Sequence, residues 1–431
     1  MDERAKFERR EAHLGVIGLG YVGLPLAMAY ARAGFKVTGY DLLASKCETL
    51  MRGESYIIDV PAAEVAASVE RGLFCATTDP SFLADVDAVN ICVPTPLSKT
   101  RDPDISFIQA AVDEIAPRVH PGMLIILEST TYPGTTEEII LPRLQESGLR
   151  VGSDFYLAFS PERVDPGNPK FQTTNIPKVV GGITPFCTQV AVALYEQTME
   201  RVVPVSSARV AETVKLLENT FRSVNIGLVN EIALMCDKLE IDVWEVIRAA
   251  ATKPFGFMPF YPGPGLGGHC IPIDPFYLAW KAKLAGSEAR FIELAGQINA
   301  AMPRHVVSRV GEALNRRRKS VNGSRVLVVG VSYKADIDDV RESPSLDIME
   351  LLHKQGAQVF WYDPHVPELA GPHAGQKLRD WSRQSLADFD CAVIVTAHGA
   401  VDHPLLLQAG CAVVDSRNAL AGHDADQILR L

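Results

Sequence analysis

A chain of 431 residues, 47% hydrophobic and 22% charged, has the size for two or three domains and the composition of an ordinary globular protein. Its formal net charge of −10 and sequence pI near 5.5 exclude the basic face that nucleic-acid binding requires, while leaving room for a local basic pocket around a small anionic substrate. The eight cysteines (47, 75, 92, 187, 236, 270, 391 and 411) show neither C-x-x-C nor metal-ligand spacing, so reduced thiols in a cytoplasmic protein, and no metal site, are expected.

The first residues, MDERAKFERREAHL, are charged and lack an apolar h-region, so they read as a loose tail or short helical lead-in rather than a signal peptide. No apolar run approaches the roughly 20 residues of a membrane span. From residue 12 onward strand runs alternate with helical patterns. HLGVIGL, FKVTGYD, DAVNICVP and GMLIILEST read as buried parallel strands, separated by helices such as VGLPLAMAYARAG and FIQAAVDEIAPRV. That alternation predicts a doubly wound sheet over residues 12–204.

GVIGLGYVGLPLA places Gly18-x-Gly20-x-x-Gly23 between the first strand and its helix. In such a turn the first glycine makes the bend, the second admits a pyrophosphate, and the third lets helix and strand pack closely. The helix N-terminus then faces the phosphates. Asp41 ends the second strand about 20 residues on, where an acid holds the ribose hydroxyls and favours NAD over NADP. Further along, Ser129, Thr130 and Thr131 end a strand in ILESTTYPGTTEE; they either cap the next turn or bring a hydroxyl to the nicotinamide. Glu162 and Arg163 follow an aromatic-rich strand in FSPERVDPGN, as a solvated ion pair or as a carboxylate placed for water activation.

From Ser206 the pattern turns helical. More than thirty residues without proline, SSARVAETVKLLENTFRSVNIGLVNEIALMCDKLE, predict one long helix, whose length suggests a spine or dimer element. Lys215 and Asn219 are four apart and share a face, with Asn230 near the same stripe. The helix neighbours Leu216, Leu217, Phe221, Ile226 and Val229 suggest cover, and a covered lysine needs a partner or a task.

PGPGLGGHCIPIDP, Pro262 to Pro275, then presents Cys270 in a stiff, bare loop. Gly265, Gly267 and Gly268 allow close backbone approach to a ligand. Asp274-Pro275 opens the next helix, the aspartate as N-cap, with a second task as a base near the thiol. A cysteine so placed is best explained as a nucleophile, with Lys215 the cation for its thiolate; His269 beside it carries little weight, because adjacent side chains diverge. After the polar stretch RRRKSVNGS, the runs RVLVVGVSY, QVFWYD, CAVIVTAH and CAVVDS predict a second parallel block over 316–431, echoing the first. Lys334 and Arg341 in GVSYKADIDDVRESPS, and Arg417 in VVDSRN, follow strands and are candidates for phosphate contacts. The fold class is therefore α/β: two Rossmann-like doubly wound domains (12–204 and 316–431) joined by a central helical domain (205–315) with one long helix.

Taken together, GLGYVGLPLA, VPTP, ESTTYPGTT, SPERVDPGN, VKLLENTFR, GPGLGGHCIPIDP and YKADIDDVRESPS make the chain resemble the nucleotide-sugar 6-dehydrogenases, the UDP-glucose dehydrogenase superfamily, over nearly its whole length. The loop reads Gly-Gly-His-Cys where UDP-glucose enzymes typically have Gly-Gly-Ser-Cys, which is similar to the bacterial UDP-N-acetylglucosamine 6-dehydrogenase branch. The resemblance implies a four-electron oxidation with two NAD+: a C6 alcohol becomes an aldehyde, a thiohemiacetal and then a thioester on the cysteine, and finally a carboxylate. It implies that Cys270 is the nucleophile, Lys215 stabilises the oxyanion with help from Asn219, and Asp274, Glu162 and Thr130 serve the water and proton network. It puts Gly18, Gly20, Tyr21, Val22, Gly23, Asp41 and Lys46 in the NAD site, with Thr95, Thr130 and Arg341 around its nicotinamide end and phosphates. It makes Glu162, Arg163, Lys215, Asn219, Tyr261, Gly265 and Gly267 substrate contacts, Lys334 and Arg417 UDP contacts in the third domain, and the long helix a homodimer element.

Two departures stand out. UDP-glucose relatives carry a second acid soon after SPE, where this chain has Arg163, Val164 and Asp165, and an arginine shortly before the glycine loop, where none lies between Arg248 and Cys270. Both fit an amide-bearing sugar; UDP-GlcNAc is the expected substrate, with UDP-GalNAc, UDP-ManNAc and UDP-glucose as alternatives. A two-electron β-hydroxyacid dehydrogenase lacks the Gly-Gly-x-Cys loop, and the joint presence of Cys270, Lys215, Asn219 and Asp274 argues against a non-catalytic NAD scaffold.

Overall fold

A computed structural model describes residues 3–57, 59–96, 102–164, 168, 170–268, 271–373 and 376–431. The chain divides into two compact units, Met1–Glu218 with Phe276–Ser287, and Asn219–Pro275 with Glu288–Leu431. The middle segment expected at 205–315 is shared between them.

The first unit holds eight strands: β1 (His13–Ile17), β2 (Lys36–Tyr40), β3 (Phe74–Thr77), β4 (Ala88–Ile91), β5 (Leu124–Leu127), β6 (Tyr156–Phe159), β7 (Lys178–Gly182) and β8 (Val202–Pro204). They lie in the order β3-β2-β1-β4-β5-β6-β7-β8. Every pairing is parallel except β6 with β7. The order reverses between β1 and β4, and such a switch point opens a crevice at the carboxyl ends of the strands. The apolar runs explain the sheet: all residues of β4, β5 and β6 are buried, as strands covered on both faces require. The helix Gly23–Ala33 covers the sheet through Leu24, Leu26, Ala27, Met28 and Tyr30, and ends at Gly34 in the left-handed conformation, φ 99°.

The second unit holds β9 (Arg325–Val329), β10 (Gln358–Tyr362), β11 (Cys391–Ile394), β12 (Ala412–Asp415) and β13 (Ile428–Arg430), all parallel, in the order β10-β9-β11-β12-β13. The helix Arg290–Arg316 supplies Met302, Val306, Val307, Val310 and Leu314 to its core. The long helix runs Ala208–Lys238, 31 residues, and passes from the first unit into the second. One of its faces leaves Val210, Leu217, Phe221, Leu228 and Met235 exposed, with sevenfold spacing from 210 to 217 and from 221 through 228 to 235. Among the described residues, no helix is long and apolar enough to cross a membrane.

Candidate active site

In the first unit the glycine turn is built as its sequence demands. Gly18 has φ 89°, and a Cβ there would stand 2.5 Å from the Cys92 carbonyl oxygen; a Cβ on Gly23 would stand 1.8 Å from the Gly18 oxygen. A Cβ on Gly20 would meet nothing within 4 Å. The first and third glycines are thus demanded by the turn itself, and the second keeps open the face where a pyrophosphate would lie. Val22 stands at the N-cap of the helix and makes no side-chain capping hydrogen bond. Tyr21 beside it is exposed. Asp41 is 8% exposed; it accepts from the Leu19 amide at 3.1 Å, the Leu43 amide at 3.0 Å and Lys46 Nζ at 3.0 Å. The acid thus ties the turn to the end of β2, and Lys46 is its ion partner.

Past β5, Ser129 donates its hydroxyl to the carbonyls of Ile91 and Val93 at 3.2 and 2.8 Å, tying the end of β5 to the end of β4, while Thr130 is half-buried. The Thr95 carbonyl accepts from the Tyr277 hydroxyl at 3.1 Å. Past β6, Glu162 Oε1 accepts the amides of Arg163 and Val164 at 2.6 and 2.7 Å, and Oε2 lies 3.4 Å from Lys178 Nζ. Burial alone would push this carboxyl up, but Lys178, the amides and Lys215 outweigh it and hold Glu162 below the usual carboxylate range. Lys215 on the long helix is 9% exposed and donates to the Glu162 carbonyl at 2.5 Å. The structure therefore brings Lys215 and Glu162 together. Arg163 is spoken for: its guanidinium grips Glu218 at 2.6 and 3.2 Å and the Pro177 carbonyl at 2.7 Å.

In the second unit Asn219 Nδ2 donates to Asp274 Oδ2 at 2.5 Å. Asp274 is 2% exposed and stands at the first residue of the helix Asp274–Leu284, one place inside the expected N-cap. Asn230 does not extend the Lys215–Asn219 stripe into a site: it is fully buried, donates to Asn299 at 2.9 Å and accepts the Gly263 amide at 2.9 Å, fixing the start of the glycine loop. That loop approaches protein as well as any ligand. A Cβ on Gly267 would stand 2.6 Å from the Tyr333 Cβ, and one on Gly268 2.9 Å from the Tyr333 ring; Gly265 and Gly268 have φ 136° and 81°. The Gly268 amide donates to the Arg341 carbonyl at 3.1 Å. Cys270, His269 and Asp165 lie outside the described residues.

Arg417 follows β12 and donates Nε to the Val395 carbonyl at 2.9 Å. Among the described residues no carboxylate pairs with it, and burial pulls its guanidinium down to about 10. A half-buried guanidinium of this kind is suited to an anionic ligand. Gly263 passes so close that a Cβ there would stand 2.4 Å from Nη1. Lys334 lies on the loop after β9, whose shape is set by Ser332 donating to the Lys334 carbonyl at 2.8 Å and by Asp336 in the left-handed region, φ 63°. Arg341 is forked onto Asp339 at 2.6–3.1 Å. Tyr261 is exposed and stacks on Trp244, ring centroids 6.2 Å apart. Asp336, His365 and His398 bring ligand-type atoms within 4.8 Å of one another. However, the His398 Nδ1 lone pair accepts the Asp336 amide at 3.0 Å while Nε2 meets Asp363 at 2.9 Å, so His398, anchored by Asp363, clamps the Lys334 loop.

Sequence reasoning passed over Glu128, Lys178 and Tyr195, which form a buried polar group behind Glu162. The available signal was a lysine opening the fully apolar strand KVVGG: a buried ammonium requires a partner.

Residues 12–199 match the UDP-glucose/GDP-mannose dehydrogenase family, NAD binding domain; residues 209–301 match its central domain, and residues 327–422 its UDP binding domain. The chain is 36% identical over 359 residues to a UDP-N-acetyl-D-glucosamine 6-dehydrogenase of Pseudomonas aeruginosa, covering 83% of this chain and 84% of that one. It is 36% identical over 397 residues to an NDP-N-acetyl-D-galactosaminuronic acid dehydrogenase of Ralstonia nicotianae, covering 89% and 90%. The solved structure of a UDP-D-ManNAc dehydrogenase from Pyrococcus horikoshii matches with a TM-score of 0.88 at 33% identity, over 97% of this chain and 98% of that one.

Proposed function

The chain belongs to the UDP-glucose/GDP-mannose dehydrogenase family, and from that premise we propose that it oxidises the C6 alcohol of UDP-N-acetylglucosamine to the uronic acid. That it is an NAD-dependent nucleotide-sugar 6-dehydrogenase follows from the family itself. The open face at Gly20, the uncapped helix end at Val22 and the Asp41–Lys46 pair fit NAD, which supplies a hydride acceptor twice per sugar. Tyr21, Gly18 and Gly23 shape the same turn, and Thr95 and Arg341 are assigned to the cofactor's other end.

In this reading the thiol of Cys270 adds to the aldehyde left by the first oxidation. The thiohemiacetal is oxidised to a thioester, and water releases the carboxylate and returns the thiol. Lys215 holds the oxyanion, a contribution whose loss typically costs about 10²–10³ in rate. Asn219 and Asp274, already hydrogen-bonded to each other, serve the thiol and the water, and Glu162 with Thr130 completes the proton network. Lys334 and Arg417 hold the uridine diphosphate; Arg163, Tyr261, Gly265 and Gly267 border the sugar. The observation that carries the reading is Lys215 joined to Glu162, with Asn219, one turn along the same helix, joined to Asp274. The exposed heptad face of that helix serves a homodimer, and the free thiols of the seven described cysteines fit the cytoplasm.

NADH release with a panel of UDP-sugars tests this. Two NADH per UDP-GlcNAc, with the highest kcat/KM for that sugar, is the expected result. One NADH per sugar would remove the four-electron reading, and a preference for UDP-ManNAc, UDP-GalNAc or UDP-glucose would reassign the substrate. Cys270→Ser should keep NAD binding and lose acid formation.

A further inference from the structure

Behind Glu162 lies a set of charges that the reaction as described leaves unused. Lys178, at the head of β7, is 4% exposed, and Glu128, just past β5, is 1% exposed. Lys178 Nζ donates to Glu128 Oε2 at 2.5 Å and to Glu162 Oε2 at 3.4 Å. Glu128 Oε1 accepts Asn90 Nδ2 at 3.0 Å and the Tyr195 hydroxyl, and Tyr30 donates to Asn90 Oδ1 at 3.3 Å. Glu128 is therefore supplied with donors on both oxygens, and the lysine's remaining reach is toward Glu162.

Glu162 is held from two sides. The backbone takes Oε1 and Lys178 faces Oε2, while Lys215 rests on the carbonyl of the same residue. Two carboxylates and two ammoniums balance only when Lys178 is counted. Burying charge is costly, and an apolar pair of similar volume would serve folding as well or better, so such a set beside a reacting group calls for a functional account.

We propose that Lys178, backed by Glu128, is a positioning residue for the oxidation: it keeps Glu162 a carboxylate with a fixed orientation, so that the same face is presented to the reaction's water and to the Lys215 segment. This rests on the reading of Glu162 as part of the proton network. The groups facing Glu162 are Cys92 after β4, Glu128, Lys178, Lys215 and, on its own loop, Arg163, whose guanidinium is engaged by Glu218; Tyr195 stands behind Glu128. Burial pushes the Cys92 thiol and the Tyr195 phenol up, so both stay neutral. Burial also pushes Glu128 up, and the two carboxylates together overcome burial to raise Lys178. Lys178 therefore stays charged throughout the neutral range and Glu162 stays ionised.

The test is the pH profile of kcat/KM from about pH 5 to 9, with UDP-GlcNAc and NAD, for the whole chain. Wild type should be flat on its acid side. Lys178→Met should acquire an acid limb, with activity at pH 5.5 falling about tenfold or more below its pH 8 value, because Glu162, left buried without that cation, takes up a proton as the pH falls. Lys178→Arg should remove that limb, and NAD affinity should stay within about threefold throughout. Should Lys178→Met fail to fold, the double variant Glu128→Gln/Lys178→Met, which deletes a compensating charge pair, carries the same expectation. An acid side as flat as wild type in either variant overturns the proposal, as does a loss equal at all pH values. Glu162→Gln separates the two readings: near-normal turnover would sink the premise about Glu162, whereas an inactive Glu162→Gln beside unshifted Lys178 profiles would sink only the role of Lys178.

Discussion

Arg417 and Asp363 show how single side chains carry opposite electrostatic burdens. Arg417 is half-buried and no carboxylate among the described residues pairs with it, so a bound phosphate would offset the desolvation of its guanidinium. Arg417→Met should raise KM for the UDP-sugar about tenfold or more in steady-state kinetics. The same variant should melt no lower than wild type in the absence of UDP and should lose the UDP-induced rise in Tm. Asp363, past β10, accepts amides from Val331, Ser332, His365 and Val366 at 2.8–3.1 Å and meets His398 at 2.9 Å. Burial opposes ionisation, but these contacts win, and its carboxyl is held down at about 2. A depressed carboxylate stabilises the fold above its unfolded pKa of about 3.9, and that stability drains away as pH falls toward 2; the shift corresponds to about 2–3 kcal/mol. Asp363→Asn should therefore lower the urea midpoint at pH 7, and its gap from wild type should narrow between about pH 4 and pH 2.

The strand–turn–helix element is where sequence spoke most clearly. Gly18-x-Gly20-x-x-Gly23 demanded a known geometry, and each glycine has its own physical reason in the structure. Those reasons separate stability from binding. Gly20→Ala, whose Cβ meets nothing within 4 Å, should melt like wild type and lose about tenfold or more in NAD affinity by titration calorimetry; Gly23→Ala, whose Cβ would fall 1.8 Å from a carbonyl, should fold poorly whether or not NAD is present.

The faint likeness between the first and third blocks also has a structural basis. Gly330 repeats Gly18: φ is 82° against 89°, each amide bonds the carbonyl of the tyrosine ending the neighbouring strand at 2.8 Å, and Asp363 grips the turn as Asp41 does. In the second copy a buried serine, Ser332, stands where Gly20 leaves space, so the geometry persists without the dinucleotide opening. Other elements were less legible. The short β8, VVP, carries too few residues for any periodicity, and Lys178 and Glu128 lie 50 residues apart, a pairing that only the β5-β6-β7 order brings about. The glycines of the Cys270 loop were readable as a close approach, but that Tyr333 forms part of what they approach was not, since it lies more than sixty residues on.

For the whole molecule, the apolar stripe of the long helix makes the strongest demand. Leu217, Phe221, Leu228 and Met235 are 61%, 47%, 52% and 52% exposed, at odds with a helix that ends its life in water. On the proposed homodimer, wild type should sediment as a dimer and Phe221→Asp combined with Leu228→Asp as a monomer; an unchanged species would show that this stripe joins no two copies.

The compact units meet along the chain between Glu218 and Asn219, inside that helix and within the single turn that separates Lys215 from Asn219. Recombination at this natural seam, in the laboratory or in a genome, would join one parent's Lys215, fitted to its Glu162, to another parent's Asn219, fitted to its Asp274, within one helical turn. Chimeras that exchange sugar preference among relatives should therefore tolerate crossovers before Ala208 or after Lys238, with the rod inherited whole as the unit of modularity.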